Sequence, residues 1–322
     1  MRRLDLDFDP YANEPGHWGA SLLNDAELLI ACLEAAGARS VVEVGAYAGD
    51  LTGLLLQWAH RAGARVWAID PAPQKELVAL DEQRADLELV RAPSHEALQT
   101  VPLADAVIID GDHNYYTVAE ELRIVAERAE GARLPLLLFH DVRWPHGRRD
   151  DYFDPDQIPV EHRQPTSDGG CLFPGEPGIR RGGLPYRWPA AREGGPRNGV
   201  LTAVEDFVAQ REGLRLAVVP AFFGLGVVWD LEAPWSGDLA AVVDPWDRNP
   251  LLERLESNRV LHLASSLHAH QRAGRQEAVL RRLLESRAFT IAERLSRLRS
   301  RAGIATDVST VSKDEIRRAL GD

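Results

Sequence analysis

The stretch Val41-Val42-Glu43-Val44-Gly45-Ala46-Tyr47-Ala48-Gly49-Asp50-Leu51-Thr52 decides the fold. A short β-rich run stops at a glycine, and a second glycine introduces a helical pattern that reaches residue 62. Glycine at such a junction lets the backbone pass close to a ligand, and the helix after it begins with unpaired N–H groups. The alternation then continues. Runs at Ser40–Val44, Arg65–Ile69, Leu87–Val90, Ala106–Ile109 and Leu134–Phe139 are separated by helical segments near 50–62, 74–84, 94–99 and 115–130. Strands that are apolar throughout and divided by helices indicate a parallel sheet covered on both faces. Upstream, Leu22, Leu23, Leu28, Leu29, Cys32 and Leu33 recur at helical spacing and stop at Gly37.

Downstream of Asp141 the rhythm breaks. Residues 143–199 are dense in Pro, Gly, Arg and aromatics, the composition of a lid or binding insertion. A helix follows at about 199–211, and then strands at Leu214–Pro220 and Phe222–Trp229, joined so tightly that they pair antiparallel. The tail from Pro250 to Arg301 is helical and Arg-rich, and Ser312-Lys-Asp-Glu315 forms a capping box for a last helix. This predicts an irregular N-terminal arm (1–19), a sheet domain (20–232) containing the insertion 143–199, and a helical C-terminal extension (233–322). The leucines of the extension must be buried on the sheet domain, on each other or on a second subunit, and a homo-oligomer through this region is the expectation.

Composition narrows the function. The 322 residues are 45% hydrophobic and 27% charged, as in folded globular proteins. With 37 Lys+Arg against 49 Asp+Glu, the net charge is −12, which disfavours general binding to a phosphate backbone. Lys75 and Lys313 are the only lysines, a skew that reflects base composition or heat adaptation more readily than function. No apolar run approaches the ~20 residues that span a bilayer. Cys32 and Cys171 form no CxxC pair, so neither a disulfide framework nor a cysteine metal site is expected. A cytoplasmic protein with a small-molecule substrate, and neither nucleic acid nor membrane as partner, is the expectation.

The second strand ends in Asp70, about 20 residues beyond the glycine turn, where an acid can accept both hydroxyls of a ribose. An NAD fingerprint wants Gly-x-Gly-x-x-Gly, and here Tyr47 fills the second glycine position. Glu43-x-Gly45-x-x-x-Gly49 instead resembles motif I of class I S-adenosylmethionine-dependent methyltransferases. The resemblance implies a Rossmann-like, seven-stranded, mostly parallel sheet with an antiparallel last strand. It also implies that Glu43, Gly45, Tyr47 and Gly49 border S-adenosyl-L-methionine while Asp70 holds its ribose. Ala92-Pro93-Ser94-His95 is similar to the stretch that borders the adenine in catechol-type O-methyltransferases, which adds Ser94 and His95.

The fourth strand runs into Asp110-Gly111-Asp112-His113, and the fifth ends His140-Asp141. In a parallel sheet both groups emerge at the carboxyl edge, beside the glycine turn. They resemble the branch that contains macrocin-type and cephalosporin-tailoring O-methyltransferases, many of which use a divalent metal. That resemblance implies Asp110, His140 and Asp141 as ligands to Mg²⁺, with Asp110 also beside the cofactor. His140 departs from the usual acid and suits Mn²⁺ or another divalent metal better. His113, His140 and Asp110 are the candidates for catalysis, since a hydroxyl acceptor must lose its proton as the methyl arrives. Arg143, Trp144, Arg148, Arg149 and Tyr152, directly downstream, are the candidates for holding the acceptor, a sugar or a natural-product aromatic.

The expected activity is therefore O-methylation of a small molecule. Two other readings stay open. One is an NAD(P)-dependent oxidoreductase, against which stand Tyr47 and the lack of a Tyr-x-x-x-Lys pair. The other is a non-catalytic S-adenosylmethionine-binding assembly protein that works through its tail.

Overall fold

The computed structural model describes residues 21–303 and 311–320; the N-terminal arm expected over 1–19 lies outside them. In chain order the sheet domain comprises α1 (Ala26–Ala35), β1 (Ser40–Val44), α2 (Asp50–Ala62), β2 (Arg65–Ile69), α3 (Lys75–Gln83), β3 (Leu87–Val90), α4 (Ser94–Thr100), β4 (Ala106–Ile109), α5 (Tyr115–Arg128) and β5 (Leu136–Phe139). The insertion carries β6 (Gly170–Phe173), β7 (Glu176–Arg180) and β8 (Leu184–Tyr186). Then come α6 (Val200–Ala209), β9 (Leu214–Val219), β10 (Leu225–Asp230), α7 (Ser236–Val243), α8 (Pro250–Glu285), α9 (Arg287–Arg301) and α10 (Lys313–Leu320).

Seven strands form one sheet in the order β3-β2-β1-β4-β5-β10-β9. Strands β1 to β5 run parallel, and β10 lies antiparallel to both β5 and β9. This is the expected α/β sheet with its reversed last strand. Successive side chains along each strand serve two separate cores. Val41, Ile108, Leu138 and Trp229 pack under α1, α2 and α7, whereas Val42, Val107, Leu137 and Val228 pack under α4, α5 and α6. From β1 the chain winds outward to β2 and β3, then returns to β4 on the other side. That reversal opens a crevice between the carboxyl ends of β1 and β4, the place where open α/β sheets bind ligands.

The insertion differs from the irregular loop its composition suggests. Its three short strands form an antiparallel sheet in the order β7-β6-β8, and two 3-10 turns, Pro155–Gln157 and Val160–His162, precede it. Leu184, Phe173, Tyr186 and Trp144 pack with Phe223 against Val260, Leu263 and Ala264 of α8. A third core thus joins the insertion to the C-terminal extension, which explains why so Gly- and Pro-rich a segment is ordered. Helix α7 falls within the extension expected to be helical over 233–322, although no periodic run singled it out; it covers α1 through Leu239 and Val243. The expected strand from Phe222 begins at Leu225 instead, because Phe222, Phe223 and Gly224 are left-handed. The capping box at Ser312 forms as read, with Ser312 Oγ accepting from Glu315 N and Glu315 Oε2 accepting from Ser312 N. No helix among the described residues is long and apolar enough to cross a membrane.

Candidate active site

A cavity of about 510 Å³ opens at the carboxyl edge between β1 and β4. Gly45, Tyr47, Asp70, Ser94, His95 and Asp110 line it, six of the eight residues expected around the cofactor. The turn that shapes it is held by one carboxylate. Asp70 Oδ2 accepts from Tyr47 N at 2.8 Å and Oδ1 from Ala72 N at 2.7 Å. Tyr47 is fixed in a left-handed conformation, φ +43°, with its ring exposed. Each Asp70 oxygen has a further lone pair, and the residue borders the cavity.

Glu43 and Gly49 stand back from it. Glu43 is buried and accepts from Thr52 Oγ1 at 2.7 Å, and burial pushes its carboxyl up to about 8. Gly49 faces α3, where a Cβ would lie 2.9 Å from the Leu80 side chain. The cavity also has walls the sequence reading missed. Tyr116, Thr117 and Glu120 contribute from α5, while Phe153, Asp154, Gln157, Ile158 and Pro159 of the insertion form a roof. The α5 residues were findable in principle, since they follow the Asp110 turn at helical spacing. The roof depends on how the insertion folds back, for which no local signal exists.

Behind Asp110, and outside the lining of the cavity, imidazoles and carboxylates converge. His140 Nδ1 lies 3.0 Å from Asp110 Oδ1 and 3.5 Å from Asp141 Oδ2. His113 Nε2 lies 3.0 Å from Asp141 Oδ2 and 3.6 Å from Asp110 Oδ1. Asp141 is held at φ +58°, an uncommon conformation for a non-glycine residue. His140 Nε2 donates to the Phe222 carbonyl at 2.9 Å. A carbonyl only accepts, so this bond places a proton on Nε2 and turns Nδ1 toward the two acids.

Burial opposes the charged forms of this cluster, yet mutual attraction prevails. The Asp110 and Asp141 carboxylates raise His140 to about 10 and hold His113 well above the usual imidazole range. The imidazoles in turn hold Asp141 and Asp110 below the usual carboxylate range. Sequence reasoning missed His146, a lone histidine in a Pro- and Gly-rich stretch. It is buried, stacks on His113 with ring centres 4.8 Å apart, and its Nδ1 has no partner. Burial lowers it to about 3.

This donor set fits a divalent cation. Asp110, His140 and Asp141 bring one donor atom each to within 4.8 Å of one another, and so do His113, Asp141 and His146. His113 Nε2 is buried without an aligned hydrogen-bond acceptor despite its nearness to Asp141. His140 Nδ1 and Asp110 Oδ1 are hydrogen-bonded to each other at 3.0 Å, a contact a cation would replace, and the His140–Phe222 bond is the usual outer support of a ligating imidazole.

The five residues expected to hold the acceptor do not line the cavity. Arg149 is fully buried and donates to the carbonyls of Ala190 at 2.6 Å and Pro177 at 2.8 Å. Arg148 pairs with Glu205 at 2.7 Å and Arg143 pairs with Glu253. Trp144 packs in the third core. Tyr152 is buried, donating to Asp150 Oδ2 and accepting from Gln164 N, both at 2.8 Å. Arg143, Arg148, Arg149 and Tyr152 are engaged within the chain. Together with the packed Trp144 ring, whose Nε1 has no hydrogen-bond partner among the described residues, they build the framework of the insertion.

No curated protein matches the chain. Among solved structures, the SAH-bound methyltransferase PaMTH1 of Podospora anserina is 12% identical with a TM-score of 0.42, over 68% of this chain and 82% of that one. A methyltransferase from Geobacter sulfurreducens is 14% identical with a TM-score of 0.35, over 65% and 79%. Human N-acetylserotonin methyltransferase, solved in complex with SAM, is 10% identical with a TM-score of 0.34, over 64% and 51%. Residues 42–142, from β1 to the end of the His140-Asp141 pair, match a family model described as a methyltransferase domain.

Proposed function

We propose that the chain is a class I S-adenosylmethionine-dependent methyltransferase that methylates a hydroxyl of a small molecule, of the branch resembling macrocin-type and catechol-type O-methyltransferases. The observation that carries this reading is the double position of Asp110. It lines the cavity and at the same time stands 3.0 Å from His140 in the cluster, so the cofactor space and the proton-handling groups adjoin. The methyltransferase-domain match over 42–142 includes Gly45, Asp70 and Asp110 of the cavity and His113, His140 and Asp141 of the cluster.

S-adenosylmethionine supplies a methyl group on a sulfonium, which departs as a neutral thioether. As the oxygen–carbon bond forms and the sulfur–carbon bond breaks, the acceptor hydroxyl loses a proton. Asp70 orients a ribose through its free lone pairs, and the segment from Phe153 to Pro159 covers one side of the cavity. His113 takes the proton while in its neutral form, which the Asp110 and Asp141 carboxylates disfavour until their charge is neutralised. A divalent cation held by Asp110, His140 and Asp141 would polarise the hydroxyl and displace the protons that the carboxylates otherwise keep on the imidazoles. With nitrogen among the donors, Mn²⁺, Fe²⁺ or Zn²⁺ fits better than Mg²⁺.

The test is calorimetric titration of metal-stripped protein with S-adenosylmethionine and separately with NADH, each repeated with Mn²⁺ or Mg²⁺. Micromolar binding of the sulfonium compound is expected, followed by transfer of labelled methyl to polyhydroxylated acceptors. Binding of NADH instead, or of neither compound, would overturn the assignment.

For the C-terminal extension the proposed partner is a second copy of the chain. Ile291, Leu295 and Leu298 form an exposed apolar stripe on α9. Residues 250–322 carry 14 Lys and Arg against 9 Asp and Glu, within a chain of net charge −12. The basic arm of one copy therefore complements the acidic body of another.

A further inference from the structure

Phe222, Phe223 and Gly224, between β9 and β10, take φ of +49°, +67° and +95° in succession. Left-handed backbone is costly for bulky side chains and persists only where the surroundings impose it. One carboxylate of the C-terminal extension imposes it here. Glu256 Oε2 accepts from Phe222 N at 3.2 Å, and Oε1 accepts from Phe223 N at 2.9 Å. Arg259, one turn further along α8, donates to both oxygens, at 2.6 and 2.7 Å, and its guanidinium lies 4.4 Å from the centre of the Phe223 ring.

The other side of this turn faces the cluster. The Phe222 carbonyl accepts from His140 Nε2 at 2.9 Å, and the Phe223 carbonyl accepts from Arg143 N at 2.7 Å. The chain on both sides of Asp141 is thus tied to three residues whose conformation Glu256 sets. A Cβ on Gly224 would lie 2.4 Å from Arg143 Cγ, so the two segments also fit sterically.

We propose that Glu256 is a positioning residue for His140: by holding Phe222 and Phe223 left-handed, it aims the Phe222 carbonyl at His140 Nε2, keeps the proton on that nitrogen and leaves Nδ1 facing Asp110 and Asp141. Its catalytic meaning rests on the reading of the cluster as the reacting end of the cavity. On this account the site extends well beyond residue 142. An acid in the extension, more than a hundred residues downstream, completes it.

The test uses the full chain with ¹⁵N-labelled histidine. The His140 Nε2–H signal, assigned by its absence in His140→Asn, is followed for exchange with solvent in wild type, Glu256→Ala and Glu256→Gln. S-adenosylmethionine affinity is measured alongside. Exchange is expected to rise at least tenfold in Glu256→Ala and by an intermediate factor in Glu256→Gln, which keeps one acceptor oxygen. Cofactor affinity, set at Asp70 and Gly45, stays within threefold. If Glu256→Ala does not fold, Glu256→Gln decides. Unchanged exchange in the variants that fold overturns the proposal, and so does loss of fold in Glu256→Gln by circular dichroism, which would show a role in folding and not in positioning. Absence of S-adenosylmethionine binding in wild type as well would instead count against the methyltransferase reading, leaving the exchange result readable.

Discussion

Gly45 and Asp110 approach so closely that a Cβ on Gly45 would lie 2.2 Å from the Asp110 carbonyl oxygen. Gly45 also has φ +87°, a conformation that disfavours any side chain. The turn after β1 and the turn after β4 are therefore fitted to each other, and the crevice owes its shape to that fit. Gly45→Ala is expected to lower S-adenosylmethionine affinity at least tenfold and to destabilise the fold by about 2–4 kcal/mol, the range for a strained backbone position with a steric clash. Calorimetry and urea denaturation would check both. Wild-type affinity in the variant would show that the two turns move independently.

Asp70 braces the glycine turn and also borders the cavity. Asp70→Asn keeps the size but offers only one acceptor oxygen to two N–H groups, and a charge-assisted hydrogen bond is worth about 1.5–3 kcal/mol. Cofactor affinity should fall roughly 10- to 100-fold, with a modest drop in Tm. An unchanged dissociation constant would remove Asp70 from the binding site.

Glu121, on α5, is fully buried, and the nearby Ser94 hydroxyl offsets only part of the cost of that burial. Burial raises it to about 8. An unfolded glutamate ionises near 4.3. Between those values the folded chain binds the extra proton, so this group's contribution to stability falls as pH rises, by up to about 1.4 kcal/mol per pH unit, and levels off above 8. Glu121→Gln cannot ionise. Its stability relative to wild type is therefore expected to climb between pH 5 and pH 8 in urea melts. Parallel curves for the two proteins would contradict it.

Stripping divalent ions and replacing His113 with Asn address the cluster. Cobalt(II) added to the stripped wild type should give visible absorption bands of mixed nitrogen and oxygen ligation, and affinity for Co²⁺ or Zn²⁺ should exceed that for Mg²⁺ at least 100-fold, since imidazole nitrogen suits these ions. His113→Asn removes the proton acceptor and none of the three proposed ligands, so it should leave Co²⁺ affinity within about threefold while lowering methyl transfer roughly 100-fold. Equal affinity for Mg²⁺ would return the site to oxygen donors alone.

Replacing Ile291, Leu295 and Leu298 together with Asp puts three charges on the stripe of α9. Sedimentation should show an assembly for wild type and a monomer for the variant, with cofactor binding kept. A monomeric wild type would leave the arm without its proposed partner.

Strands β1 to β4 begin and end where the sequence places them, because each is a short apolar run cut off by Gly, Asp or Arg. The convergence of Gly45, Asp70, Asp110, His140 and Asp141 was legible for the same reason: all follow from a parallel sheet whose strand ends share one edge. What escaped depends on contacts between segments distant in the chain. His146 reaches the cluster only because the insertion folds over it, and the roof over the cavity has no periodicity to announce it. Arg148 and Arg149 look from sequence like anion ligands, yet each has a partner within the chain. Charge and position alone do not distinguish a free guanidinium from one already engaged.

Helix α8 runs unbroken for 36 residues, about 54 Å at 1.5 Å per residue. Its inner half is seated in the third core with Glu256, Val260, Leu263 and Ala264 buried, while most of its outer half stands in solvent. A continuous helix behaves as a stiff rod over this distance, so a load applied at one end is delivered at the other. On the proposed role of Glu256, a partner bound along the outer half of α8 would share one helix with the carboxylate that holds the Phe222 turn.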